Sequence, residues 1–154
     1  MIRKLNHTIP DIAARINELQ KESYRVEAGL IHYPNHPNLN QAINDIQMSV
    51  ENFIGYEDEK VLAGVISYEL EDQKKLTICR LVIKPSYFGR GIARKLIRAV
   101  QDMEPDVTQL VVGTAKKNHP AVNLYIKEGF RLFHEFKTDD GLELVRFRKI
   151  IKSN

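Results

Sequence analysis

Around residue 52 the hydrophobic period of this 154-residue chain changes, and the change restricts what the chain can fold into. Before it, Ile12, Ile16 and Leu19 recur at helical spacing. They predict a helix from Pro10 to about Val26, with Thr8 available as a cap. A second helix is expected with Leu39, Ile43, Ile46 and Val50 on one side. After it, "NFIGYE" (52–57), "VLAGVISYEL" (61–70) and "LTICRLVI" (76–83) are rich in β-branched and aromatic residues. Short polar turns, "DEK" and "EDQKK", separate them, which reads as an antiparallel meander. Past Pro85 the helical period returns in Ile92, Leu96, Ile97, Val100 and Met103, and "QLVVGTA" (109–115) is again a strand. Two strands flanking a helix form a crossover, so 76–83 and 109–115 should lie parallel.

The remaining segments complete an α+β protein. Residues 2–6 can open the sheet, and "HYPNHPN" (32–38), with two prolines, is a loop. Pro120 to about Glu128 forms a helix closed by Gly129. "RLFHEFK" and "LELVRFRK" form a hairpin signalled by Asp140-Gly141. The expectation is one domain over 1–154, a mixed sheet of six or seven strands and about four helices. Apolar residues at 43% and charged residues at 28% are enough to bury a core at this size. No apolar run approaches a membrane span, and "MIRKLNHTIPDI" lacks a signal-peptide core. One cysteine, Cys79, cannot form an internal disulfide, which makes the cytoplasm the simplest compartment. The formal charge of +3 permits an anionic ligand without pointing to nucleic acid.

The stretch "YFGRGIARKLI" (87–97) places Arg90, Arg94 and Lys95 at the start of a helix, where the peptide dipoles already leave positive charge. Each cation there costs about 0.3–1 kcal/mol. The arrangement makes sense where an anion docks on the free N–H groups, with Gly89 and Gly91 letting an oxygen-rich group approach the backbone. The same cations could instead fan into solvent. A P-loop is absent, and "GRGIAR" lacks the third glycine of a dinucleotide fingerprint and does not open a βαβ repeat.

"LVIKPSYFGRGIARKLI" resembles the acyl-CoA signature of the GNAT superfamily of N-acetyltransferases, Gln/Arg-x-x-Gly-x-Gly/Ala between a strand and a helix. Gly91 and Ala93 fill the second and third places; Phe88 stands in the first, where Gln or Arg is usual. "NHPAVNLYIKEGF" is similar to the family's next motif, with Asn118, Ala121, Leu124, Tyr125, Gly129 and Phe130 in register. The likeness covers about 50–150 in detail. It implies a GNAT-type fold whose parallel strands 76–83 and 109–115 splay apart to admit acetyl-CoA as co-substrate. Main-chain groups of Leu81, Val82 and Ile83 would pair with the pantetheine arm. N–H groups across Phe88, Gly89, Arg90, Gly91, Ile92, Ala93 and Arg94 would take the pyrophosphate, and Asn118 would reach the pantetheine from the other side.

By the same resemblance Tyr125 is the acid that protonates the departing thiolate; read from its apolar helix alone, it is a core aromatic. No strand carboxylate marks a general base: Thr77 stands where one might sit, and Glu69, Glu71, Glu22, Glu27, His32 and His36 are alternatives. Cys79, mid-strand and without a histidine neighbour in sequence, is read as inert. His32 and His36 have metal-pair spacing, but Pro34 interrupts any helix between them, so no metal is expected. The implied activity is transfer of an acetyl group to a small-molecule amine in a ternary complex, with Tyr24, Tyr33 and His36 as acceptor contacts. Alternatives are a non-catalytic acyl-CoA sensor and a protein or peptide N-acetyltransferase. The resemblance allows a homodimer.

Overall fold

The computed structural model of the chain describes residues 1–32 and 41–151. Seven strands form one sheet: β1 (Ile2–Leu5), β2 (Asn52–Asp58), β3 (Val61–Leu70), β4 (Lys75–Ile83), β5 (Gln109–Ala115), β6 (Arg131–Lys137) and β7 (Glu143–Ile150). Their order is β1-β2-β3-β4-β5-β7-β6. Neighbours are antiparallel except β4 and β5, which run parallel as the crossover requires. Four α-helices accompany the sheet: α1 (Pro10–Ile31), α2 (Ile43–Gln47), α3 (Ile92–Met103) and α4 (His119–Lys127). The α+β fold with a seven-stranded mixed sheet and four helices is the one the sequence implies.

Adjacent residues on a strand point to opposite faces, and this separates two apolar clusters. Phe53 and Val65 join Ala13, Ile16 and Leu19 of α1 and Ile46 of α2. Their neighbours Ile54 and Ile66 join Ile92, Leu96, Ile97 and Val100 of α3. Gly64 lies under α3, where the helix side chains leave no room for a Cβ. A Cβ there would stand 2.9 Å from the Ile92 side chain and 3.2 Å from that of Leu96.

Three local expectations change. α1 runs to Ile31, five residues past the reading from sequence, because Tyr24, Ala28 and Ile31 keep the buried face going. Its N-cap is Ile9 with no side-chain cap, while the Thr8 hydroxyl donates to Asn6 Oδ1 at 2.5 Å. The second helix shrinks to the five residues of α2: Ile46 is fully buried, but Ile43 and Val50 are exposed, so their helical spacing marks no buried stripe. Leu39 lies outside the described residues. Pro85–Tyr87 forms a separate 3-10 turn ahead of α3.

Candidate active site

The parallel β4·β5 pairing extends only from Lys75↔Gln109 to Ile78↔Val112. Beyond it the strands part, and a cavity of about 480 Å³ opens between them. β4 departs from regular pairing at the same point. Ser67 pairs with Arg80 and Tyr68 with Ile78, which leaves Cys79 as the extra residue of a β-bulge. A one-residue insertion reverses which side chains face which side. Leu76 and Ile78 therefore pack into the α3 cluster, whereas Val82 packs into the α1 cluster and Arg80 reaches Gln20 of α1.

Arg80 is 9% exposed and fully engaged. Its Nε and one terminal nitrogen donate to the two Glu51 oxygens at 2.9 and 3.0 Å. The other terminal nitrogen donates to Gln20 Oε1 at 2.9 Å and Gln41 Oε1 at 2.6 Å. Ser67 and Ser49 hydroxyls also donate to Glu51, at 2.5 and 2.7 Å. Burial raises the Glu51 pKa, but the bonds from Arg80, Ser67 and Ser49 outweigh it and hold the carboxyl below its usual range. Sequence reasoning missed this network and the bulge. The one available sign was an arginine inside an apolar strand, "ICRLV", since a buried guanidinium requires partners.

Leu81 lines the cavity, Val82 is buried against α1, and Ile83 packs on the α3 cluster. From Arg80 to Ile83 the strand pairs with β3 on one side and with no strand on the β5 side. The turn before α3 has Gly89 and Gly91 at φ 78° and 77°, a left-handed backbone that favours glycine. Gly91 is the N-cap, with no side-chain cap bond. A Cβ on Gly89 would meet nothing within 4 Å, and one on Gly91 only the Arg94 guanidinium at 4.0 Å. Phe88, half exposed, makes no contribution to the core. Arg90 lies 4.6 Å over the Tyr87 ring and Lys95 5.6 Å over Tyr56, so two of the crowded cations are steadied by aromatic faces. Ile92 turns its side chain into the core, Ala93 is half-buried and Arg94 is exposed. The turn thus offers backbone donors and cations to an anion at an open surface.

Across the cavity, Asn118 caps α4: its Oδ1 accepts from Ala121 N at 3.3 Å, while its Nδ2 donates to Glu27 Oε1 at 3.3 Å. Tyr125, 5% exposed, packs its ring 5.6 Å from Phe130 and 5.9 Å from Phe147 and borders the same cavity. Burial, and then the nearby Glu27 carboxylate and Tyr24, push its phenol well above the ordinary tyrosine range. Cys79 opens onto the cavity as an exposed thiol, yet the surrounding protein and the charges of Glu51 and Glu69 raise it to about 12. It stays a thiol at neutral pH and is a poor nucleophile.

Among the base candidates within the described residues, the structure brings only Glu27 to this cavity, and His36 lies outside them. Glu22 is paired with Lys84 at 3.1 Å. Glu71 bonds the Thr77 hydroxyl and Lys75, and Glu69 is exposed at the end of β3. His32 caps the C-terminus of α1. Of the acceptor candidates, Tyr24 lines the cavity, and Tyr33 and His36 lie outside the described residues. Among the described residues no group of three or more His, Cys, Asp or Glu could hold a metal ion. Nor is any described helix long and apolar enough to cross a membrane. Phe136, Leu142 and Leu144 from the β6–β7 hairpin also line the cavity, a role that strand patterning alone did not expose.

A family model for the acetyltransferase (GNAT) domain matches residues 20–151. The UPF0157 protein YqkA of Bacillus subtilis (strain 168) is 41% identical over 147 residues, 96% of this chain and 43% of that protein. The chain therefore spans less than half the length of that curated relative. Among solved structures, the ribosomal-protein-S18-alanine N-acetyltransferase from Escherichia coli superposes with a TM-score of 0.77 at 15% identity, covering 100% of this chain and 95% of that one. PaiA N-acetyltransferase from Thermoplasma acidophilum, in complex with coenzyme A, gives 0.76 at 20% identity over 97% and 98%. These likenesses place the fold, and the match over residues 20–151 places the sequence: the chain belongs to the GNAT acetyltransferase family.

Proposed function

We propose that the protein transfers the acetyl group of acetyl-CoA to a primary amine of a small molecule, directly and within a ternary complex. The observation that carries this reading is the opening of β4 from β5 after Ile78↔Val112. It leaves one side of a strand's main chain available beside a cavity sized for a small ligand. The residues fit the co-substrate. Leu81, Val82 and Ile83 offer main-chain partners for an amide-bearing arm. The uncapped first turn of α3, the open glycines at 89 and 91, and Arg90 and Arg94 suit a diphosphate. The relative solved with coenzyme A shares this fold.

When bound, acetyl-CoA supplies an activated acyl carbon and a thiolate leaving group. The chain supplies position and protons. Tyr125, held protonated by burial, is a donor to the leaving sulfur. Asn118 bridges the first turn of α4 to Glu27 of α1 and so fixes the far wall. The cavity, at about 480 Å³, is of a size that suits a small amine as acceptor.

Calorimetry with acetyl-CoA, paired with release of free thiol across a panel of amines, tests the reading. Gly91→Glu places an anion at the diphosphate position and should weaken acetyl-CoA affinity at least about tenfold, a loss of about 1.4 kcal/mol. Unchanged affinity in a variant with the wild-type melting temperature would sink the proposed site. Binding without turnover across the panel would instead identify a non-catalytic acyl-CoA sensor.

A further inference from the structure

We propose that the acceptor is a monoamine with an uncharged, largely apolar body, and that Glu27 is the residue that selects it by receiving its ammonium group. This rests on the acetyl-transfer reading above. The cavity has a marked charge composition. Glu27 is the one acidic residue among the described residues that line it, and it stands beside Tyr125 and Asn118. Two cations are on the walls instead. Arg80 is committed to Glu51, Gln20 and Gln41. Arg146 lies 5.5 Å from the Phe133 ring.

An ammonium leaving water needs a carboxylate or several acceptors, and a second ammonium on the same molecule needs a second set. Here the first finds Glu27, whose carboxylate can accept several hydrogen bonds at once. The bound ammonium then releases one proton to solvent, and the neutral nitrogen attacks the acyl carbon. The C–S bond breaks with the thiolate taking the Tyr125 proton, and the nitrogen's second proton restores the tyrosine. A second ammonium would face Phe136, Leu142 and Leu144, the neutral Thr114 and Thr138, or Arg146, with no second carboxylate among the described residues that line the cavity. Those apolar side chains favour a hydrocarbon body and penalise a buried charge. Polyamines and aminoglycosides, which carry several ammonium groups, are therefore poor acceptors.

The test follows thiol release from acetyl-CoA with hexylamine, phenethylamine, 1,6-diaminohexane, spermidine and kanamycin. We expect kcat/KM for hexylamine to exceed that for 1,6-diaminohexane, which has the same six-carbon chain, by about tenfold or more. Glu27→Gln keeps the shape and the acceptor oxygen for Asn118 but removes the charge. It should raise KM for hexylamine by about tenfold to a hundredfold, with the melting temperature and acetyl-CoA affinity reporting an intact fold. Leu142→Glu, which adds a second carboxylate, should shift the preference toward the diamine. Wild-type protein that uses 1,6-diaminohexane, spermidine or kanamycin as well as hexylamine overturns the proposed acceptor class while leaving acetyl transfer standing. So does a Glu27→Gln KM within twofold of wild type. Silence across all five amines, with acetyl-CoA bound, defeats the transfer reading itself and this inference with it.

Discussion

In the acetyl transfer proposed above, Tyr125 would serve both packing and chemistry. Its ring belongs to an aromatic group with Phe130 and Phe147, and the residue also borders the cavity. Burial disfavours the phenolate first, and the Glu27 carboxylate adds to the effect. Both act in one direction, keeping the proton on the oxygen until something more basic arrives. A thiolate leaving from an acyl carbon is such a group. Tyr125→Phe preserves the ring packing and deletes the donor, so turnover should fall by about a hundredfold to ten-thousandfold. The raised pKa also fixes the sign of the pH dependence. The acid is present below its folded pKa, so wild-type turnover should show no alkaline loss from Tyr125 at the ordinary tyrosine value of about 10. Single-turnover rates across pH, compared between wild type and variant, read both effects. A Tyr125→Phe enzyme with wild-type turnover removes the tyrosine from the chemistry.

Elements are where the reading from sequence was strongest and where it failed most instructively. The strands, the crossover and the glycine turn were legible because periodicity and punctuation are local. The β6–β7 hairpin was legible too, since Asp140-Gly141 places Gly141 at φ 90°. The bulge at Cys79 was not, because an inserted residue leaves the composition of a strand unchanged while exchanging its faces. Nor was the Arg80 network, whose members come from α1, the segment before β2, β3 and β4. That network ties helix to sheet on the face opposite α3. Removing one partner of a mostly buried pair leaves the other uncompensated. Glu51→Gln retains an acceptor, so the loss at neutral pH should be about 1–3 kcal/mol in urea unfolding. The sign with pH follows from the depressed native pKa of Glu51. Its stabilisation is complete above the unfolded carboxyl value of about 4.3 and disappears as pH falls through the lower native value. The gap between wild type and Glu51→Gln should therefore be flat above about pH 5 and narrow progressively below about pH 4.3. A gap that stays constant into acid would show that the charge of Glu51 carries none of the effect.

At the scale of the whole molecule, the sheet has a seam. β1 to β4 form one antiparallel group and β5, β7 and β6 another, and they are joined by four registered residue pairs from Lys75↔Gln109 to Ile78↔Val112. α3 and its turn make the covalent crossover between them. A ligand seated past Ile78 would touch both groups, with β4, Gly113 and Ala115 of β5, and Asn118 all on the cavity wall. Anything that binds the folded chain and not the unfolded one stabilises it by mass action, by about 2.7 kcal/mol at a hundredfold excess over Kd. For a chain of this size each kcal/mol moves Tm by about 2–4 °C, so saturating acetyl-CoA should raise Tm by about 5–10 °C. The location of the effect discriminates further than its size. Binding at the seam should slow amide exchange in Leu81, Ile83 and Gly113–Ala115 more than in β1 or β2, which lie away from it. A thermal shift accompanied by uniform protection, or by protection confined to the α3 turn, would place the ligand outside the gap between the strands.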